Sequence, residues 1–135
     1  VVKLLGLDYG AARIGLAVAE SAIGIAHTRP FLANSVDAVA QLAQFCAAEK
    51  IGKIILGHPR TLAGETSPQT TVVEEFCEQL KTELKLPVEL IDERFTSREA
   101  AMNLQTGEKS ARAQKELIDS EAARILLQAW LEQNN

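Results

Sequence analysis

The chain has 135 residues, 47% hydrophobic and 24% charged, with a formal net charge of −4; this size suits one domain (1–135) with one core, and this composition excludes wholesale disorder. No apolar run approaches the ~18 uncharged residues of a membrane span, and Val1–Leu7 contains Lys3 and runs into Asp8-Tyr9-Gly10, so neither a membrane helix nor a signal peptide is expected, and the opening Val suggests a trimmed start. The acidic balance excludes a general polyanion coat, and Cys46 and Cys77, with no CxxC or Cys/His cluster, exclude a disulfide framework or zinc site and suit a reducing cytoplasm.

In chain order, Val2–Asp8 and Arg13–Ala19 are apolar runs around a turn at Tyr9–Ala12, which predicts a β-hairpin. Ile23–Ala33 is a third extended segment, and Asn34-Ser35 supplies a cap for a helix within Val36–Lys50, whose buried face is Val39, Leu42, Ala43 and Cys46. Lys53–Gly57 is a fourth strand, followed by a loop at His58–Pro68 that is long enough to be functional. Ser67-Pro68 opens a helix to Leu84, with Val72, Val73, Phe76, Leu80 and Leu84 on one face. Pro87–Asp92 is a fifth strand, Arg98–Leu104 a short helix, and Lys115–Glu132 a last helix. The order βββαβαβαα predicts an α/β fold: a mixed five-stranded sheet with helices on both faces, because α-β crossovers return parallel and right-handed.

Charge is unevenly spread. Residues 94–115 hold Arg94, Arg98, Lys109, Arg112 and Lys115 against Glu99 and Glu108, a local +3, while the remaining residues carry −7. This segment is the expected phosphate contact if the chain meets nucleic acid, and otherwise a solvated basic loop.

Three acidic positions can carry chemistry. Asp8 ends the first strand, where α/β sheets open onto a crevice, or alternatively caps the bend into Gly10. Asp92 and Glu93 end the fifth strand; alternation sends them to opposite faces, so only one can join Asp8, and either can instead pair with Arg94. Asp119 lies on the helical stripe of Ala122, Ala123, Leu126 and Trp130. An acid on a packed face costs several kcal/mol unless it is paired, protonated or bound to a cation; the alternative is that Asp119 caps the last helix. Converging carboxylates of this kind suit Mg²⁺ or Mn²⁺, and two such ions about 4 Å apart can activate water and stabilise a leaving oxygen in phosphodiester hydrolysis.

The segments Leu5-Gly6-Leu7-Asp8-Tyr9-Gly10, Arg13-Ile14-Gly15-Leu16-Ala17-Val18, Gly57-His58-Pro59 with Gly64, Asp92-Glu93-Arg94-Phe95-Thr96-Ser97 and Ile118-Asp119-Ser120-Glu121-Ala122-Ala123 occur in this order along the whole chain. In these motifs the chain resembles the YqgF family, pre-16S rRNA nucleases also described as Holliday-junction-resolvase-like. The resemblance implies a ribonuclease-H-like fold, with Asp8, Glu93 and Asp119 as catalytic and metal-binding acids and Arg13 and Arg94 as phosphate-facing residues or, alternatively, structural ion-pair partners. Related resolvases place an acid after the fourth strand, where this chain has Gly57-His58-Pro59, so the DER motif would supply that group from elsewhere. The chain departs from the family pattern at Ala19-Glu20, where Ser-Asp is common, and at Arg60-Thr61-Leu62, where an Asn-containing stretch is common.

The implied activity is a Mg²⁺- or Mn²⁺-dependent endonuclease on structured RNA, with ribosomal RNA precursor favoured, in a monomer or weak homodimer. A resolvase on branched DNA would need two active sites and hence a dimer, and a non-catalytic binding module of the same fold is the remaining class. Asp8-Tyr9-Gly10 also resembles the first phosphate loop of the actin and sugar-kinase ATPases, but those clamp nucleotide between two domains. His58 is read as a backbone-bonded strand-end residue rather than a general base, His27 as structural, and both cysteines as core.

Overall fold

The computed structural model describes residues 2–59, 67–92 and 111–134, and over 111–119 the helical backbone alone. Its elements are β1 (Lys3–Tyr9), β2 (Arg13–Glu20), β3 (His27–Ala33), α1 (Ala38–Glu49), β4 (Ile51–His58), α2 (Pro68–Leu84), β5 (Val88–Asp92) and α3 (Ala111–Gln133). The predicted short helix at 98–104 lies outside the described residues. The strands form one five-stranded sheet in the order β3-β2-β1-β4-β5. β1 pairs antiparallel with β2 and β2 with β3, whereas β1 with β4 and β4 with β5 are parallel, as the hairpin and crossover reading expects.

Alternation along the strands divides the core. Leu5, Leu7, Ile14, Leu16, Ile54 and Leu56 pack under α1 and α2, against Leu42, Cys46, Val73, Phe76 and Leu80. On the other face Leu4, Ala17, Ala19 and Ile55 pack under α3, against Ala123, Leu126, Leu127 and Leu131. Cys46 and Cys77 are buried free thiols, and burial pushes Cys46 up to about 11 and Cys77 upward, so both are inert core groups.

Local chemistry sets the element ends. Ser67 caps α2: its hydroxyl accepts from the Thr70 amide while the Thr70 hydroxyl accepts from the Ser67 amide, with Pro68 in the first turn. The Asn34-Ser35 signal is met only at Ser35, whose hydroxyl accepts from the Asp37 amide at 3.3 Å just ahead of α1. Asp37 itself makes no side-chain cap, and the Asn34 amide instead donates to the Gly10 carbonyl at 2.8 Å. β3 begins at His27 rather than Ile23, since the Ile23 and Gly24 amides turn back onto the Glu20 carbonyl and the Ala26 amide donates to Gln128 of α3. Val72 points outward; it sits about 100° around the helix from Val73, and Cys77 fills the buried stripe in its place. His27 is exposed at the start of the edge strand β3.

α3 lies unusually close to the sheet at Gly6. A Cβ there would come within 2.8 Å of the Leu127 Cβ and 3.0 Å of the Ala123 carbonyl oxygen. We expect Gly6→Ala to lower stability by about 1–3 kcal/mol through overpacking and to displace α3. Chemical denaturation checks this, and an unchanged midpoint would show that the helix can ride outward at no cost.

Candidate active site

The parallel strands β1, β4 and β5 end at one edge of the sheet, where Leu7 is level with Leu56 and His58 with Asp92. Ligand sites of open α/β sheets form beyond such carboxyl ends. The β1–β2 hairpin closes there with a 2.9 Å bond from the Gly10 amide to the Arg13 carbonyl. A Cβ on Gly10 would meet that carbonyl oxygen at 2.6 Å, so the turn requires glycine.

Alternation decides which face each side chain serves. Leu5 and Leu7 belong to the α1/α2 core and Leu4 to the α3 core, so Asp8, half-buried, follows Leu4 and Gly6 onto the α3 face. Its neighbours across the sheet are glycines: Gly15 is its β2 partner, and Gly57 follows Leu56 on β4. A carboxylate therefore stands on a strip of backbone without flanking side chains. Asp8 lies in the β ladder two residues before Gly10, and the turn itself is held by backbone and by Asn34.

α3 runs antiparallel to β1 over this face. The Ser120 hydroxyl donates to the Arg29 carbonyl at 2.7 Å, Ala123 meets Gly6, and the Gln128 amide donates to the Gly24 carbonyl at the far end. One turn before Ala123 carries the helix back about 6 Å, while two residues past Gly6 carry β1 forward about 6.7 Å. The backbone of Asp119 is thus level with Asp8. Asp119 lies well inside α3, which begins at Ala111, so it is not the helix cap. The predicted stripe is real: Ala122, Ala123 and Leu126 are buried and Trp130 packs beside them.

Arg13 stands at the same corner, its guanidinium carbon 4.9 Å from the Phe31 ring centroid. Asp92 goes the other way. Val88 and Leu90 pack with the α1/α2 core, which assigns Asp92 to that face together with its partner His58. His58 is buried and its Nε2 lies 3.3 Å from Glu74 Oε2 on α2. The sheet lies between it and Asp8, so it is not placed to serve as a base there, and the Glu74 carboxylate is a partner that the sequence reading did not name. Glu93, Arg94, Arg98 and Lys109 lie outside the described residues, and Arg112 and Lys115 are described only as positions on α3. Among the described residues no group of three His, Cys, Asp or Glu side chains forms a metal cluster.

A model of the family described as RuvX, Holliday junction resolvase, matches residues 2–133. The chain belongs to this RuvX/YqgF family. It is 39% identical to a protein of Thermosynechococcus vestitus over 136 residues, covering 98% of this chain and 89% of that protein. A relative from Anaeromyxobacter dehalogenans is 34% identical, covering 97% of both chains. Both are named as candidate pre-16S rRNA nucleases. The fold is similar to that of Thermus thermophilus RuvC in complex with a Holliday junction substrate, at a TM-score of 0.59 and 12% identity over 99% of this chain and 96% of that one. It is also similar to a Fowlpox virus resolvase in complex with Holliday junction DNA, at a TM-score of 0.60 and 11% identity over 98% and 99% of the two chains. The RuvX/YqgF chain thus has a ribonuclease-H-like fold and belongs to a family of nucleases.

Two residues of this corner were not singled out from the sequence. Phe31 reads as one apolar residue in an extended run, and Asn34 as a helix cap; only the register of β3 brings them to the hairpin. The face assignment of His58 gives a direct expectation for this RuvX/YqgF chain. His58→Gln should keep at least about a tenth of wild-type cleavage, since an essential general base is worth about 10²–10⁴-fold. A loss beyond a hundredfold in a folded variant would return His58 to the chemistry.

Proposed function

We propose that this chain is a divalent-metal-dependent endonuclease that hydrolyses phosphodiester bonds in structured nucleic acid, with precursor 16S ribosomal RNA as its substrate and the cytoplasm as its place of work. The observation that carries the reading is Asp8 on a glycine-flanked strand end, level with Asp119 on the helix that packs on the same face. Residues 1–135 act as one ribonuclease-H-like nuclease domain, and the names of the relatives supply the RNA substrate.

The donor chemistry at this corner fits Mg²⁺ or Mn²⁺: Asp8 offers hard carboxylate oxygens, whereas the two thiols are buried in the core of the opposite face. Asp8, Glu93 and Asp119 would hold the ion. Glu93 is preferred to Asp92 because Asp92 shares the face of His58. When bound, the ion supplies Lewis acidity that lowers the pKa of water and stabilises charge on the leaving oxygen. The chain's own residues do the positioning. Gly15 and Gly57 leave room for a phosphodiester beside Asp8, and Arg13, held over Phe31, brings a positive charge to the same corner. Arg94, Arg98, Lys109, Arg112 and Lys115 extend the contact along the substrate backbone, since the rest of the chain is net acidic.

A second reading, resolution of branched DNA, is favoured by the family description and by the solved Holliday junction complexes of similar fold. It requires two copies, because two strands must be cut. Sedimentation beside cleavage of both substrates by one preparation separates the readings: junction cutting by a dimer would overturn the RNA assignment.

Asp8→Asn should abolish Mg²⁺-supported cleavage without unfolding the protein, as should Glu93→Gln and Asp119→Asn. Activity that survives chelation, or survives Asp8→Asn undiminished, would overturn the metal mechanism. For the basic segment, replacing Lys109, Arg112 and Lys115 together by Ser should flatten the slope of log affinity against log salt by about 2–3, at ~0.7–0.9 per lost phosphate contact. An unchanged slope would move the contact surface elsewhere.

A further inference from the structure

Phe31 is an aromatic residue that packs into neither hydrophobic core cluster among the described residues, and it is only half-buried. Its position is set by a break in the β2–β3 register. Ile14 pairs with Leu32 and Leu16 with Arg29, so two β3 residues, Pro30 and Phe31, stand opposite the single β2 residue Gly15. Such bulges occur on edge strands beside active sites and re-aim a side chain.

The face that Phe31 serves follows from two observations. Its neighbour Leu32 packs with the α1/α2 core, and Arg13, which shares the strand parity of Gly15 and Ala17 and so the α3 face, has its guanidinium over the Phe31 ring. Phe31 therefore shares the α3 face with Asp8. Arg29, the arginine of β3 itself, is engaged elsewhere: it bonds Glu49 at 2.8 Å, at the end of α1 on the opposite face. Across the three strands the row reads Asp8, Gly15, then the bulge with Phe31. Two strand spacings make about 10 Å, roughly three nucleotide rises of 3.4 Å, and the intervening Gly15 has no side chain to obstruct a strand lying across it.

We propose that Phe31 and Arg13 form a stacking platform for an unpaired nucleobase one to three nucleotides from the phosphate at Asp8. This rests on the nuclease reading and adds to it a demand on the substrate: a base free to leave its helix. The half-buried Phe31 ring, with the Arg13 guanidinium 4.9 Å from its centroid, offers an aromatic surface on which a base can stack without its identity being read. The guanidinium, one of whose terminal nitrogens is buried, adds a positive charge to the planar surface, a combination that a lysine ammonium cannot reproduce. A fully paired duplex presents no such base, so the platform selects single-stranded or unstacked segments beside the cut.

The test measures binding rather than turnover. Full-length Asp8→Asn protein in EDTA is titrated, by fluorescence anisotropy, into two labelled single-stranded 12-mers with identical phosphates, one carrying bases and one abasic throughout. Adding Phe31→Leu should weaken binding of the base-carrying strand by about 5- to 100-fold and leave the abasic strand unchanged; Phe31→Trp should restore the difference. Arg13→Lys, which keeps the charge, should also lose base-dependent affinity, and it reads the platform independently should Phe31→Leu fail to fold. Equal losses on both strands, or no loss on either, would overturn the platform while leaving the nuclease reading standing. Failure of the Asp8→Asn protein itself to bind either strand at any salt would overturn the nucleic-acid reading beneath it.

Discussion

The contact of α3 with β1 at Gly6 is the constraint on which the rest depends. A helix and a sheet normally stand apart by the thickness of their side chains, but here the Ala123 carbonyl and Leu127 lie where a Cβ on Gly6 would have to be. Small residues meet across the interface, Gly6 and Ala17 below with Ala123 above. Close packing of this kind leaves no slack for the helix to slide or rotate. Polar bonds then lock its level at both ends: Ser120 on the Arg29 carbonyl, Gln128 on Gly24 and Ala26, and Trp130 on Glu89 of the opposite edge strand. A group on the turn before Ala123 is consequently held level with a group at the end of β1, which is what a site assembled from a strand and a helix requires.

The second organising feature is the separation of the two sheet faces. Successive residues of one strand serve opposite sides, and this chain uses the difference. His58, Asp92 and Tyr9 belong to the side of α1 and α2, where Tyr9 packs at 4.6 Å from Phe76 and His58 meets Glu74. Asp8 and Arg13 belong to the side of α3. The α2 side also ties down the exit of β4, where the Thr70 hydroxyl donates to the Pro59 carbonyl at 2.6 Å directly beside the Ser67 cap. One face thus braces the strand ends, and the other carries Asp8 and Arg13 on the side of α3.

Peripheral ion pairs play a different part. Glu49 accepts from both Lys3 and Arg29, and Glu89 from Lys53 and Trp130; in each case the hydrogen bond to lysine leads in holding the carboxyl below its ordinary value. Groups with depressed values stabilise the fold fully above the ordinary carboxylate range and lose that contribution as the pH falls from there through their lowered values. They join α1 to the sheet edge and β4 to β5 and α3, far from the Asp8 corner, so acid weakens the scaffold independently of the chemistry.

Much of this was legible in the chain itself. Period-two runs around Gly10 specify the hairpin, Ser67-Pro68 specifies the start of α2, and the stripe through Ala122, Ala123 and Leu126 specifies the packed face of α3; each is a local pattern whose physics needs only neighbours in sequence. Asp8 and Asp119 are legible for the same reason, as acids placed where apolar periodicity expects none. Other features belong to the tertiary structure alone. Asn34 looks like a cap until β3 brings it to Gly10, Phe31 looks like one more strand residue until the bulge turns it toward Arg13, and His58 looks available until the packing of Ile54 and Leu56 assigns its face. Strand parity tells only that neighbours part company. Which of them meets the solvent-facing corner is decided by the helix that lands on each side, and that depends on contacts between residues about a hundred positions apart, such as Gly6 with Ala123 and Ala26 with Gln128.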